Sequence, residues 1–343
     1  MNPNQALWEK GAMRCVLLLL SLCFAVVAFA EENGIYDHHV HLLSPALIQD
    51  WKSIGMEFGR PDEAYSDPTR LIENEHLVGA FLVSMAHLYA TEDFRAILKE
   101  PNDEWRRVAA ENDFIADSVA KHPAFFVGFF SVSPLADYAF DELNRCQSKP
   151  NLTGLKLHLP ACGVDLNDAA HTSRLDSVLS WAATNDVPVL MHLTAGENVD
   201  LDTSLRIWNT IVRPHEKLEL YVAHLGSVGG YNHSSHNILE GFRKLAEQDA
   251  DFRKRAIYFD LSGAIIPEGS EEAQPTSDEQ LKRLSDQIER IGVQRFLFAS
   301  DYPVFSIAQT RAGIATLPIS ARDRERLMSN RSSRFGRRST QSR

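Results

Sequence analysis

The chain has 343 residues, 44% of them hydrophobic and 24% charged, and a formal net charge of −11. That length suits one large α/β barrel as well as two smaller domains, and the composition is that of a soluble globular enzyme rather than a fibrous or disordered chain. The acidic balance argues against nucleic acid as a partner, because neutralising phosphates needs clustered Lys and Arg.

The first thirty residues read as an address. Lys10 and Arg14 precede an apolar run from Cys15 to Ala30, broken only by Ser21, and Ala28-Phe29-Ala30 closes it before Glu31-Glu32. This is the order of a secretory signal peptide, 1–30, and predicts export to the periplasm or beyond. The run is shorter than the ~20 residues of a spanning helix, so no stable membrane anchor is expected after cleavage. Met13 offers a more compact start than Met1. With Cys15 and Cys23 in the leader, Cys146 and Cys162 remain, too few for a disulfide framework, and each is expected to be a free thiol. At the other end, the basic, Ser-rich residues 336–343 are expected to be a disordered tail.

Between leader and tail, short apolar runs recur at 34–42, 78–86, 125–133, 153–159, 187–194, 218–225, 257–263 and 295–301. Helix-period segments separate them, among them Glu104 to Lys121, Thr172 to Asn185, Ile238 to Gln248 and Ser277 to Ile291. Strands alternating with helices imply right-handed crossovers and a parallel sheet, and eight units close a barrel. The fold expected is α/β, a single-domain (β/α)8 TIM barrel over 31–335. The rival, an open doubly wound sheet, carries a Gly-rich turn after its first strand. Here that position reads His-Val-His-Leu-Leu-Ser.

Barrel chemistry sits where strands end. The first ends Asp37-His38-His39-Val40-His41. Strict alternation would send His39 and His41 inward together, able to grip one ion, with Asp37 one pleat deeper and His38 facing the helices. The fifth strand ends at His192, the sixth at His224 and the eighth at Asp301. Burying so many ionisable groups without partners would cost several kcal/mol apiece, by the usual order of desolvation penalties, and a shared metal removes that cost.

The motifs DHHVHL, MHL, AHLG and FASDYP, in that order over about Ile35 to Phe335, resemble the amidohydrolase-related branch of the amidohydrolase superfamily. The resemblance implies a divalent metal, zinc being the expected ion, held by His39, His41, His192 and Asp301, with His224 catalytic beside Asp301. In GLKLHLP, Lys156 and His158 leave two readings: a carboxylated Lys156 bridging two metals, or an ammonium binding a substrate oxyanion with His158. One metal is the favoured reading. Arg60 and Tyr302 are further candidate substrate contacts, and His87 is a candidate pocket residue.

The activity expected is metal-assisted hydrolysis of an amide, ester or lactone: Asp301 takes the proton of a metal-activated water, and His224 polarises the carbonyl or protonates the leaving group. Non-oxidative decarboxylation is the alternative within the same branch, and a non-catalytic ligand-binding barrel the second. No G-x-S-x-G nucleophile elbow occurs. The partner expected is a small-molecule substrate, with a homo-oligomer left open.

Overall fold

The computed structural model describes residues 34–55, 62–100, 102–194, 199–227, 229–268 and 274–335. The expected signal peptide over 1–30, Arg60 and the expected disordered tail over 336–343 lie outside the described residues. Eight strands alternate with helices: β1 (Ile35–Val40), α1 (Pro45–Ser53), β2 (Leu77–Val83), α2 (Asp103–Lys121), β3 (Phe126–Ser131), α3 (Ala139–Gln147), β4 (Leu152–His158), α4 (Ala169–Thr184), β5 (Val189–His192), α5 (Asp202–Arg206), β6 (Leu220–Val222), α6 (His233–Gln248), β7 (Ile257–Asp260), α7 (Asp278–Ile291) and β8 (Phe296–Leu297). Two last helices, α8 (Ile307–Thr316) and α9 (Ala321–Ser329), follow.

The strands pair in parallel in the order β1 to β8. The seam closes where His38 N donates to Phe298 O at 3.0 Å, Asp301 N to His39 O at 2.8 Å and His41 N to Tyr302 O at 2.7 Å. The chain is a (β/α)8 TIM barrel.

Local sequence explains the elements. In α7, Leu281, Leu284, Ile288 and Ile291 recur at three- and four-residue spacing and are buried. Ser277 and Gln280 cap its start reciprocally, and Gly292 (φ 111°) ends it. Alternate strand residues split into two sets. One joins the helices in a large outer core, and the other, Phe81, Val83, Val127, Phe129, Leu190, Tyr221 and Leu297, fills the barrel. Gly154 belongs to this filling: a Cβ there would stand 2.4 Å from the Phe129 ring.

The barrel floor is stoppered by residues 332–335. Phe335 packs against Tyr36, His38 and Phe81 with ring centroids 4.5, 5.2 and 4.7 Å away. Ser332 N donates to His38 Nε2 at 3.1 Å, and Arg334 pairs with Glu219 and Asp186.

Three expectations change. His38 does not face the helices: it lies inside, against Phe81 and Phe335, because β1 bulges between Asp37 and Val40 and the alternation slips. All strands but β4 are also shorter than their apolar runs. β6 ends at Val222 and β8 at Leu297, so His224 and Asp301 leave the ladder before they reach the site. Asp37 does not orient a ligand ring; its Oδ1 accepts from the backbone N–H of His39 and Ser300. Cys146 and Cys162 are both free and buried, as expected. Among the described residues no helix is long and apolar enough to cross a membrane.

Candidate metal centre and active site

His39, His41, His192, His224, Lys156, His158 and Asp301 all reach the catalytic end of the barrel, by two different routes. His39, Lys156, His158 and His192 stand on strands, and His41 directly follows one. His224 and Asp301 instead sit in left-handed backbone, with φ 52° and 62°. Non-glycine residues rarely adopt this conformation, and it persists where surrounding structure forces it, often at functional sites. It turns both side chains back over the barrel mouth.

Hydrogen bonds behind the rings decide what the site can hold. His39 Nδ1 donates to Asp260 Oδ2 at 2.9 Å, and His41 Nδ1 donates to Val83 O at 2.8 Å. His224 Nδ1 lies 2.8 Å from Ser262 Oγ and 3.1 Å from Ser262 O. Ser262 gives its own hydroxyl hydrogen to Asp260 Oδ1, so it accepts from the His224 ring. All three neutral rings therefore carry hydrogen on Nδ1 and a bare lone pair on Nε2. These lone pairs converge on one carboxylate. His41 Nε2 and His39 Nε2 lie 3.2 and 3.6 Å from Asp301 Oδ1, and His224 Nε2 lies 4.0 Å from Oδ2.

Three lone pairs facing an anionic oxygen repel one another unless a cation lies among them. Ligand atoms of His39, His224 and Asp301 all fall within 4.8 Å of one another. Three imidazoles and a carboxylate, each ring oriented from behind, form a donor set that fits a divalent transition metal. His192 stands slightly apart. Its Nε2 lies 3.1 Å from Thr194 O, which leaves the lone pair on Nδ1, and its ring is 4.9 Å from that of His224. The tight group thus contains His224 and leaves out His41 and His192, both of which the resemblance implied as ligands.

Burial sets the charges. It holds His39 and His192 well below the usual imidazole range, as metal ligation requires. Burial opposes ionisation of Asp301, yet His224, His39 and His41 outweigh it and keep the carboxyl below its ordinary range. Lys156, 1% exposed, places Nζ 3.3 Å from His39 Nε2. Burial pulls its amine down to about 8, against the attraction of Asp301 and Asp260, so it is mostly ammonium at neutral pH. Asp37 is pushed up to about 7 by burial.

Tyr302 lies at the rim, bridged to Val40 and edge-on to Tyr65 at 6.1 Å. Sequence reading gave no role to Asp260 or Ser262. Asp260 is fully buried and anchors two site residues at once, accepting from the His39 ring through Nδ1–H and from the backbone N–H of His224 at 2.8 Å. The usable signal was an acidic residue closing the apolar strand Ile257–Asp260.

The comparisons agree with this architecture. A 2,6-dihydroxybenzoate decarboxylase from Rhizobium is similar at 16% identity and a TM-score of 0.56, over 90% of this chain and 99% of that one. A dihydroxybenzoic acid decarboxylase from Polaromonas, solved with manganese and the inhibitor 2-nitroresorcinol, is similar at 17% identity and a TM-score of 0.56, over 89% and 97%. A 5-carboxyvanillate decarboxylase from Novosphingobium aromaticivorans, with manganese and 4-hydroxy-3-methoxy-5-nitrobenzoic acid bound, is similar at 12% identity and a TM-score of 0.58, over 90% and 97%. At such identities the likeness is one of fold. No curated protein sequence matches. The amidohydrolase family model matches residues 36–330, nearly the whole barrel, and the chain belongs to the amidohydrolase family.

Proposed function

We propose that this chain is a metal-dependent non-oxidative decarboxylase of a small carboxylic acid. The observation that carries this reading is the pairing of two positive centres at the barrel mouth: the cation site around Asp301, and the buried Lys156 ammonium 3.3 Å from His39 Nε2. A divalent ion there, with Lys156 beside it, would set positive charge against the carboxylates of Asp301 and Asp260 and favour an anionic substrate. The fold shared with three benzoate-type decarboxylases supports the same direction.

His39, His41 and Asp301 would hold the ion, and the fourth position falls to His192 through Nδ1 or to His224 through Nε2. The imidazole-rich set suits zinc, and relatives in fold carry manganese. When bound, the ion neutralises the substrate carboxylate and draws electron density from the bond that breaks. Lys156 pairs with the substrate oxyanion, with His158 and Tyr302 as further contacts. As the carbon–carbon bond breaks, its electron pair stays on the substrate carbon, and one proton must replace carbon dioxide. Asp301, 4.0 Å from His224 Nε2, is placed to take that proton from solvent water and pass it to the carbon.

Hydrolysis of an amide, ester or lactone is the second reading, favoured by the same Asp301 carboxylate, which could equally take up a proton from water. The 1–30 leader belongs with an exported enzyme. Metal-loaded protein offered aromatic and unsaturated acids alongside lactones, esters and amides separates the readings. Release of carbon dioxide, lost in Asp301→Asn while the fold persists, is the expected result. Acid release without carbon dioxide would establish hydrolysis instead, and full activity in Asp301→Asn would sink both assignments.

A further inference from the structure

The turn that carries His224 is held in a shape its own residues disfavour. Among the described residues His224, Leu225 and Gly226 form the longest run of left-handed backbone, with φ 52°, 56° and 89°. Glycine is needed at the third position, where a Cβ would stand 2.8 Å from the Ile238 side chain. The two residues before it carry side chains, for which left-handed backbone is costly, and such a run persists only where neighbours hold it. Two bonds anchor its backbone to other strand ends. At the start, the His224 N–H donates to Asp260 Oδ1 at 2.8 Å. At the end, the Thr194 hydroxyl donates to Gly226 O at 2.9 Å.

Thr194 lies two residues beyond β5, where the pairing of β5 with β6 has already stopped at Met191 and Val222. Its side chain carries the contact that backbone pairing no longer supplies. The same residue fixes the other contending ring. A carbonyl oxygen can only accept, so His192 Nε2 carries hydrogen and donates to Thr194 O at 3.1 Å. His158 stacks on that ring, with centroids 4.0 Å apart and 18° between the planes. Thr194 therefore has His192 on its carbonyl and the His224 turn on its hydroxyl, and the two rings stand 4.9 Å apart at 63°.

We propose that Thr194 is a positioning residue of the metal centre: its hydroxyl holds the left-handed turn and so keeps His224 Nε2 facing Asp301 Oδ2, 4.0 Å away. Without that bond the turn relaxes toward ordinary backbone, the ring leaves the group it forms with His39 and Asp301, and the site loses a donor. This rests on the reading that an ion is held around Asp301 with His224 among its donors, and it is independent of which reaction follows.

Thr194→Val, which keeps the branched shape and removes the hydroxyl, is the deciding variant, and Thr194→Ser, which keeps the hydroxyl, is its rescue. Zinc affinity of the full chain, read by competition with a chromogenic chelator, should fall about tenfold or more in Thr194→Val and stay within about threefold of the unaltered protein in Thr194→Ser, the scale on which outer partners of metal ligands act. Hydrogen exchange of the metal-free chain should show the amides of Gly226 and Ser227 exchanging about fivefold faster in Thr194→Val, with β1 to β4 unchanged. A merely structural bond would speed exchange and leave zinc affinity alone. Thermal melts check folding, and Thr194→Ala against Thr194→Ser carries the same comparison if Thr194→Val is unfolded. Zinc binding by a folded hydroxyl-free variant as tight as that of the unaltered protein, unchanged exchange in the turn, or no recovery in Thr194→Ser overturns the proposal. Failure of the metal reading appears separately, as no binding of zinc or manganese by the unaltered chain, and overturns the proposal with it.

Discussion

The chemistry of each imidazole at this site is set by the group behind it. Asp260, Val83 O and Ser262 fix hydrogen on three Nδ1 atoms and leave three Nε2 lone pairs for a cation. His192 is held the other way round, through Nε2 on Thr194 O. His192 and His224 therefore compete for one role, and substitution separates them. The residue that ligates should lose metal on change to Ala, whereas the one that only moves protons should keep metal and lose turnover. The expected outcome is that one of His192→Ala and His224→Ala drops metal content well below one ion per chain while the other stays near one, measured by elemental analysis of dialysed protein. Equal retention in both would remove each from the donor set and leave His39, His41 and Asp301.

At the scale of elements, the loop after β1 is tied to the barrel wall through a buried acid. Glu111 on α2 is 1% exposed, accepts from Ser44 N at 3.2 Å through Oε1, and has no partner for Oε2. Burial pushes its carboxyl up to about 7 from 4.5. A folded pKa above the unfolded one means that the neutral acid is favoured on folding. Its stabilisation is complete below pH 4.5 and is lost as the pH rises through about 7. Glu111→Gln removes the titration. It should match the unaltered protein near pH 4 and exceed it by about 3 kcal/mol at pH 8, as read from urea midpoints at each pH. A difference independent of pH would show that Glu111 is not neutral in the fold. Residues 332–335 are a second such tie: Phe335, Ser332 and Arg334 pack against the barrel interior at His38, Phe81 and Glu219, away from Asp301.

For the whole molecule, the metal couples chemistry to stability. Candidate donors His39 on β1 and Asp301 after β8 flank the barrel seam, so an ion held by both would tie its two sides together. An ion that binds only the folded chain stabilises it by about 2.7 kcal/mol at a hundred times its Kd. Chelator treatment should therefore lower the melting temperature by about 5 °C, and zinc or manganese should restore it while calcium does not. Melting that ignores chelator and both transition metals would leave the convergent lone pairs without their cation.

The architecture was legible in the chain because strand and helix periodicities are local. Eight apolar runs separated by amphipathic helices already specify a closed parallel barrel, and the motifs around His39, His41, His192, His224 and Asp301 lie where its strands finish. Alternation also mispredicted His38, since a bulge depends on the neighbouring strand and not on the run itself. What only the folded chain decided is which nitrogen of each ring is free and which side chains close in on Asp301. Those outcomes rest on hydrogen bonds between residues as far apart as His39 and Asp260 and on two left-handed turns, and no local pattern records such distant partners.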